Sequence, residues 1–119
     1  MNQKKILIVE DETNLAKVIQ FNLERAGYRT EGASDGAEAM EKIDLSPPDL
    51  VLLDLLIPSI DGWEVARRIR GNPETKDIKI LMLSIVSNGK KASEVGADGY
   101  IVKPFSMEKL LNTVNSLLR

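Results

Sequence analysis

The chain has 119 residues, of which 43% are hydrophobic and 29% are charged, and its net charge is −2. This length fits one domain, 1–119, with a real core, and the mild acidity offers no basic field for direct binding to nucleic acid or membrane. Cysteine and histidine are both missing, which excludes disulfides, thiol catalysis, histidine acid–base chemistry and the usual zinc sites. The polar N-terminus leads into only four apolar residues, too few for a signal peptide or a membrane span, so a cytoplasmic location is expected.

Strand and helix patterns alternate five times along the chain. Short apolar runs predict strands at about 6–9, 50–53, 78–83 and 100–102, and a short mixed segment at 28–33 suggests an edge strand. Between and after them, apolar residues at helical spacing predict helices at about 15–26, 36–43, 62–70, 90–95 and 107–118. Asp35 and Asp61, each three residues before a glutamate, are predicted to cap the second and third helices. The pattern indicates an α/β doubly wound parallel sheet of five strands with helices on both faces.

Polar residues follow four of the predicted strands. Glu10 and Asp11 follow the first strand, Asp54 the third, Ser84 the fourth and Lys103 the fifth. Because ligands of such sheets bind outside the carboxyl ends of the strands, these side chains are expected to converge on one site. Asp54 is the hardest to explain otherwise, since a carboxylate seldom follows a fully apolar strand unless its charge is used.

The residue types at these strand ends favour phosphoryl chemistry. Three carboxylates close together repel one another unless a cation lies among them, and an oxygen-only set favours Mg²⁺. The Lys103 ammonium and the Ser84 hydroxyl suit a group with several anionic oxygens, and phosphoryl transfer needs mainly positioning and charge neutralisation. Asp54 is the candidate nucleophile, which would become an aspartyl phosphate.

Each residue also has an ordinary structural explanation. Glu10, Asp11 and Glu12 fit a helix N-terminus, where the helix dipole favours acids. Lys103 alone fits a solvated surface lysine, and Tyr100 fits a residue of the strand core. It is the joint pattern at the four strand ends that favours a functional site.

These motifs resemble the receiver domain of two-component response regulators, in the CheY-like superfamily, from about Lys4 to Leu118. The resemblance rests on residues 6–12 and 52–55, on Pro58 with Asp61-Gly62, on 83–84, and on 96–100 with 103–105. It implies a flavodoxin-like sheet of strand order 2-1-3-4-5, an order that a response regulator exemplifies.

The resemblance also implies the roles of the acidic residues. Asp54 would be the phosphoacceptor. Asp11, Asp54 and the backbone carbonyl of Leu56 would ligate Mg²⁺ (or Mn²⁺) directly, and Glu10 would help through water.

The remaining site residues take their roles from the same resemblance. Lys103 would pair with the phosphoryl oxygens. Ser84 would hydrogen-bond the phosphoryl group and move toward it, and Tyr100 would change rotamer with Ser84. The Lys103–Pro104 peptide is expected to be cis.

The resemblance implies a signalling domain rather than an enzyme. Its only catalysis would be its own Mg²⁺-dependent phosphorylation and slow dephosphorylation. The expected partners are a sensor histidine kinase or histidine phosphotransfer protein as donor, and an effector on the face of the fourth helix, fifth strand and fifth helix. With no further domain after Arg119, a single-domain regulator, a phosphorelay shuttle or a piece of a longer protein would each fit.

Several positions depart from the commonest family pattern. Ser84 stands where threonine is commoner, and Ile85 stands where a small residue is usual and is expected to crowd the approach to the phosphoryl group. Apolar Leu56 and Val86 cannot orient an attacking water, which predicts slow loss of the phosphoryl group. Ser84 and Lys103 are 19 positions apart, a short interval that resembles the receivers of hybrid kinases and predicts a short fourth helix.

Three other functions compete with phosphoryl acceptance. A flavin or nucleotide site needs a glycine-rich loop after the first strand, but no glycine precedes Gly27. A hydrolase acting through Asp54 would need a substrate pocket and a general acid, and 119 residues leave no cap domain to supply them. A receiver that binds partners without phosphorylation remains as the alternative.

Overall fold

A computed structural model describes residues 3–85 and 89–119, in which strands and helices alternate as the sequence predicts. The strands are β1 Lys5–Val9, β2 Arg29–Ala33, β3 Leu50–Asp54, β4 Lys79–Ser84 and β5 Gly99–Val102. The helices are α1 Thr13–Arg25, α2 Gly36–Leu45, α3 Gly62–Gly71, α4 Gly89–Glu94 and α5 Met107–Leu117.

The five strands form one parallel sheet in the order β2-β1-β3-β4-β5, which confirms the expected topology. Every residue of β3 is buried, because helices cover both faces of the sheet. One apolar cluster lies under α2, α3 and α4, and a second lies under α1 and α5. The helix–sheet layers leave the carboxyl ends of the strands open for a site.

Two strands run one residue further than predicted, and both extra residues are polar. Asp54 pairs with Leu83 as the last residue of β3, and Ser84 pairs with Val102 as the last residue of β4. The sheet ladder therefore holds the backbone of both residues, although apolar periodicity alone ends before them. A carboxylate and a hydroxyl that belong to strands are more rigidly placed than they would be in loops.

The predicted helix caps are confirmed, but the glutamates three residues later do not hydrogen-bond back to the capping residues as in a reciprocal capping box. The Asp35 and Asp61 carboxylates accept from the backbone N–H of Glu38 and Glu64 at 2.8 and 3.0 Å. The Glu64 carboxylate does not return to its cap but pairs with two arginines of α3, whose hydrogen bonds lower its pKa to about 2. The sequence spacing identified the caps, but it could not identify which partner each glutamate takes.

The fourth helix is short, as the interval between Ser84 and Lys103 predicts. It has six residues, and Ala92 is its buried apolar anchor. Gly96, at a φ of 84°, follows it in the left-handed conformation that suits glycine.

Arg70 joins α3 to the turn that leads into β5. Its guanidinium donates to the Gly96 carbonyl at 2.9 Å, to the Ile78 carbonyl at 2.6 Å and to the Asp98 carboxylate at 2.6 Å. The same Asp98 oxygen accepts from the backbone N–H of Ile80 at 2.8 Å. This network lies at the amino ends of β4 and β5, opposite the polar strand ends, so it supports the sheet without taking part in the site.

Candidate functional site

Three carboxylates meet at the carboxyl end of the sheet. Ligand oxygens of Glu10, Asp11 and Asp54 lie within 4.8 Å of one another. Glu10 and Asp54 are buried, whereas Asp11 is exposed. The structure thus brings together the three acids that the sequence predicted to converge.

Lys103 bridges the two buried acids of this group. Its Nζ donates to Glu10 Oε1 and to Asp54 Oδ2, each at 3.0 Å. The Lys103 backbone N–H donates to the Ser84 carbonyl at 2.7 Å, which continues the β4–β5 pairing beyond β5 and fixes the lysine. The peptide that follows, Lys103–Pro104, is cis as expected. A surface lysine with a solvated ammonium is therefore the wrong explanation for this residue.

Glu12 separates from the acidic group and caps a helix. Its carboxylate accepts from the backbone N–H of Asn14 at 3.0 Å and of Leu15 at 2.7 Å, at the start of α1. The backbone N–H of Glu12 in turn donates to Glu10 Oε2 at 3.1 Å. The helix-terminus explanation thus holds for Glu12 but not for Glu10.

Ser84 and Tyr100 lie on the neighbouring strands β4 and β5. Ser84 is buried at the end of β4, and its side chain leaves the same face of the sheet as that of Met82, two residues earlier. Tyr100 pairs with Met82 in the β4–β5 register and packs against the cluster under α2, α3 and α4. The two residues therefore share one face of the sheet.

The residue two positions after Asp54 projects an apolar side chain into solvent. Leu56 is 65% exposed, while its backbone N–H donates to Asp54 Oδ1 at 3.1 Å. Both oxygens of the Asp54 carboxylate are thus hydrogen-bonded, one to Leu56 and one to Lys103. Val86, the second apolar residue predicted here, lies outside the described residues.

The pKa values of Glu10 and Lys103 are both raised, with opposite effects on the charge that each group carries. Burial raises the pKa of the Glu10 carboxyl, and the hydrogen bonds from Glu12 and Lys103 offset only part of that rise. Burial alone would lower the pKa of Lys103, but its hydrogen bonds to Glu10 and Asp54 outweigh burial and raise it. The ammonium therefore stays charged at neutral pH, while the charge on Glu10 is costly.

The raised pKa of Glu10 predicts a pH-dependent effect of Glu10→Gln. A raised pKa means that the folded protein binds this proton more tightly, so wild-type stability falls as pH rises from below 4.5 through the raised pKa. Glutamine resembles the protonated acid, so the stability of Glu10→Gln relative to wild type should increase between pH 4 and pH 7. Urea unfolding of both proteins in EDTA measures the difference, and a difference that stays flat or shrinks would contradict the prediction.

The acidic group offers a suitable ligand set for a hard divalent cation. Its donors are all carboxylate oxygens, which Mg²⁺ prefers. Lys103 balances only part of the charge of the three acids, and the exposed Asp11 leaves one side open to solvent. The donor set and its charge thus fit the cation that the sequence predicted.

An apolar cavity of about 380 Å³ lies next to Lys103. Its lining comes from α1, the residue after β4, the segment between β5 and α5, and the start of α5, and consists of Leu15, Ile85, Lys103, Pro104, Phe105 and Met107. Ile85 is 61% exposed and lines this cavity together with Lys103, and its crowding of the approach to the phosphoryl group stays a prediction.

Two glycines hold the loop that follows Asp54, and sequence reasoning gave them no such role. A Cβ on Gly62 would lie 2.7 Å from the Leu55 Cα and 2.9 Å from the Asp54 carbonyl oxygen, and a Cβ on Gly36 would lie 1.9 Å from the Ile60 carbonyl oxygen. The only sequence signal was an Asp-Gly pair before each helix. The loop from Asp54 to α3 therefore packs directly against the backbone of Gly36 and Gly62, where a side chain would not fit.

Within the described residues, no helix has the length and apolar content needed to cross a membrane.

Comparisons with solved structures find the same fold in signalling proteins. The chemotaxis response regulator CheY4 of Vibrio cholerae has a TM-score of 0.93 and 32% identity, over 98% of this chain and 100% of that one. The signal receiver domain of a signal transduction histidine kinase from Syntrophus aciditrophicus has a TM-score of 0.90 and 36% identity, over 97% of this chain and 89% of that one.

Curated relatives include transcriptional regulators. Response regulator ArlR of Staphylococcus saprophyticus is 44% identical over 97% of this chain and 52% of its own length. The alkaline phosphatase synthesis transcriptional regulatory protein PhoP of Bacillus subtilis is 40% identical over 98% of this chain and 49% of its own length. The chain thus spans about half the length of these relatives. Because regulators and a kinase receiver both match, the suggested likeness to hybrid kinases stays a prediction.

The profile of the response regulator receiver domain family matches residues 6–115, nearly the whole chain. The matched region contains the five parallel strands apart from Lys5, the acidic group at their carboxyl ends and Lys103. The chain belongs to the receiver domain family of two-component response regulators.

Proposed function

We propose that Asp54 accepts a phosphoryl group from a histidine of a sensor histidine kinase or histidine phosphotransfer protein. Receivers of response regulators pair with histidine kinases and downstream effectors. The observation that carries the proposal is the position of Asp54, a strand-end carboxylate within 3.0 Å of a lysine and beside two further acids. A carboxylate used only for stability would not need this concentration of charge.

The chemistry requires positioning and charge neutralisation. An Asp54 carboxylate oxygen attacks phosphorus, an O–P bond forms, and the N–P bond of the donor breaks with its electron pair kept by the histidine nitrogen. Lys103 is close enough to Asp54 to turn its ammonium toward the incoming phosphoryl oxygens.

A cation would be held by Asp11, Asp54 and the backbone carbonyl of Leu56, with Glu10 acting through water. When bound, Mg²⁺ neutralises charge on the phosphoryl oxygens, and Mn²⁺ suits the same oxygen ligands. Without a cation, the three carboxylates would repel an anionic donor. Phosphorylation is therefore expected to require the divalent ion.

Ser84 and Tyr100 form the proposed switch. The Ser84 hydroxyl would donate to the phosphoryl group, and Tyr100 would follow by changing rotamer, which biases a two-state equilibrium. Tyr100 belongs to β5, between α4 and α5, so the face of α4, β5 and α5 is the proposed binding surface for the effector. Val102 on this face is 40% exposed.

The test is intact mass after incubation with acetyl phosphate, with Mg²⁺ or with EDTA. The expected result is a gain of one phosphoryl group in the sample with Mg²⁺ and no gain in the sample with EDTA. No gain by the folded protein in Mg²⁺ would contradict phosphoryl acceptance and favour a module that binds partners without phosphorylation.

The apolar side chain of Leu56 predicts slow loss of the phosphoryl group. Leu56→Asn would place an amide beside Asp54 that can orient an attacking water. A positioned general acid or base accelerates a reaction by about 10²–10⁴-fold. An amide that only orients water should have a smaller effect, so loss of the phosphoryl group should become about ten-fold faster. The lifetime of the phosphorylated form, followed by intact mass after removal of the donor, measures this.

Leu45→Asn is the matched control for Leu56→Asn. Leu45 is also an exposed leucine, at 78%, but it ends α2 and should not affect the lifetime. Equal lifetimes for Leu56→Asn and wild type would show that Leu56 does not limit water attack.

A further inference from the structure

A cation–π contact joins α3 to α4. The Lys91 Nζ lies 4.7 Å from the centroid of the Trp63 ring. Trp63 is the second residue of α3 and packs, partly buried, against the cluster under α2, α3 and α4. Lys91 is an exposed residue of α4. The contact therefore joins an exposed side chain of α4 to a partly buried ring of α3 that packs against the core.

The short α4 depends on such contacts for its position. A six-residue helix is far below the length at which a helix is stable by itself. Its buried anchor is Ala92, a small side chain with little apolar area. A cation–π contact at an exposed site changes an equilibrium by about two- to five-fold, which is substantial for a helix of this size.

The cluster behind Trp63 reaches the proposed switch. Met82 of β4 belongs to it, Tyr100 of β5 packs against it, and the two residues are paired across the strands. Met82 lies two residues before Ser84, on the same face of the sheet. A rotamer change of Tyr100 or a shift of Ser84 would therefore alter the packing that supports Trp63 and, through Lys91, the position of α4.

We infer that the Lys91–Trp63 contact is a latch that holds α4 against α3 while Asp54 is a free carboxylate. In this arrangement both Asp54 oxygens are engaged by Leu56 and Lys103. Phosphorylation weakens the latch as the Tyr100 side of the cluster repacks. Lys91 is thus a positioning residue of the switch, and this role rests on the proposed function of Asp54.

The test uses Trp63 as its own reporter, because it is the only tryptophan of the chain. Fluoroberyllate with Mg²⁺, which forms a phosphoryl-like adduct on a carboxylate, is titrated while Trp63 emission is followed. The variants are Lys91→Gln, Lys91→Arg, which keeps a cation over the ring, and Lys90→Gln, the matched control one residue away. Both positions, Lys90 and Lys91, are exposed on α4, so the three variants should fold.

The latch predicts two changes in Lys91→Gln. Trp63 emission should shift before any fluoroberyllate is added, and the midpoint of the titration should fall by about two- to five-fold, since a weaker latch opposes the switched state less. Lys91→Arg and Lys90→Gln should behave as wild type. Emission and midpoint equal to those of Lys90→Gln would overturn the latch.

Failure of the proposed function gives a different result. Wild type that shows neither a fluoroberyllate response nor a mass gain would overturn phosphoryl acceptance and, with it, the latch. A wild-type response that is lost in Asp54→Ala, together with an unaffected Lys91→Gln, would overturn the latch alone.

Discussion

Asp54→Ala should gain no phosphoryl group from acetyl phosphate and Mg²⁺, whereas Asp61→Ala should gain one as wild type does. Asp54 supplies the only buried carboxylate that ends the described strands, and Lys103 lies 3.0 Å from it. Asp61 is a helix cap whose carboxylate accepts a hydrogen bond from the backbone N–H of Glu64. Intact mass after incubation measures the gain directly.

The loss in Asp54→Ala should be complete because the reaction has no other nucleophile in the same position. Glu10 is hydrogen-bonded to Lys103 and to the Glu12 backbone, and Asp11 is exposed. The variant should stay folded, since Lys103 keeps Glu10 as its partner, and circular dichroism serves as the control. A folded Asp54→Ala that still gains a phosphoryl group would assign acceptance to a different carboxylate and contradict the proposal.

The sheet was predictable because its central strands, β1, β3 and β4, are buried on both faces. In β1 and β3 this produces unbroken apolar runs, which a short window of sequence reveals. The helices α1 and α5 bury one stripe each, so their apolar residues recur at helical spacing. The strand order is a long-range property, and it came from the family resemblance rather than from these patterns.

The convergence of the acids followed from a rule of parallel sheets, since the carboxyl ends of parallel strands share one edge. The sequence could not show which of the neighbouring acids joins the site and which caps a helix. Glu10 and Glu12 are two residues apart, yet one meets Lys103 and the other caps α1. That division depends on where each side chain points after the chain leaves β1.

The roles of the tight glycines were hidden for a different reason. Gly36 is distant in sequence from Ile60, and only the packing of the loop 55–61 against α2 brings them together. Such close approaches leave no periodic signal in the sequence, because a missing side chain looks the same in a loop, a cap or a contact. The loop after Asp54 was therefore the least predictable part of the site.

Gly36→Ala should destabilise the protein by about 3 kcal/mol, since overpacking costs about 1–3 kcal/mol and each lost hydrogen bond about 1 kcal/mol. Its Cβ would lie 1.9 Å from the carbonyl oxygen of Ile60, which is backbone and must move as a loop. That movement also strains the bonds from the Gly36 N–H to the Pro58 carbonyl at 3.1 Å and from the Ala37 N–H to Ser59 Oγ at 3.1 Å. Urea unfolding measures the loss.

Gly71→Ala is the matched control for Gly36→Ala, because a Cβ there meets nothing within 4 Å at the end of α3. Alanine in a helix is favoured over glycine by roughly 1 kcal/mol, so the control should be neutral or slightly stabilising. The displaced loop carries Leu56, whose N–H holds Asp54 Oδ1, so Gly36→Ala should also slow phosphorylation by acetyl phosphate under conditions where it is still folded. Equal stability and equal phosphorylation rates in the two variants would mean that the loop yields to the new methyl group, and that Gly36 does not position the site.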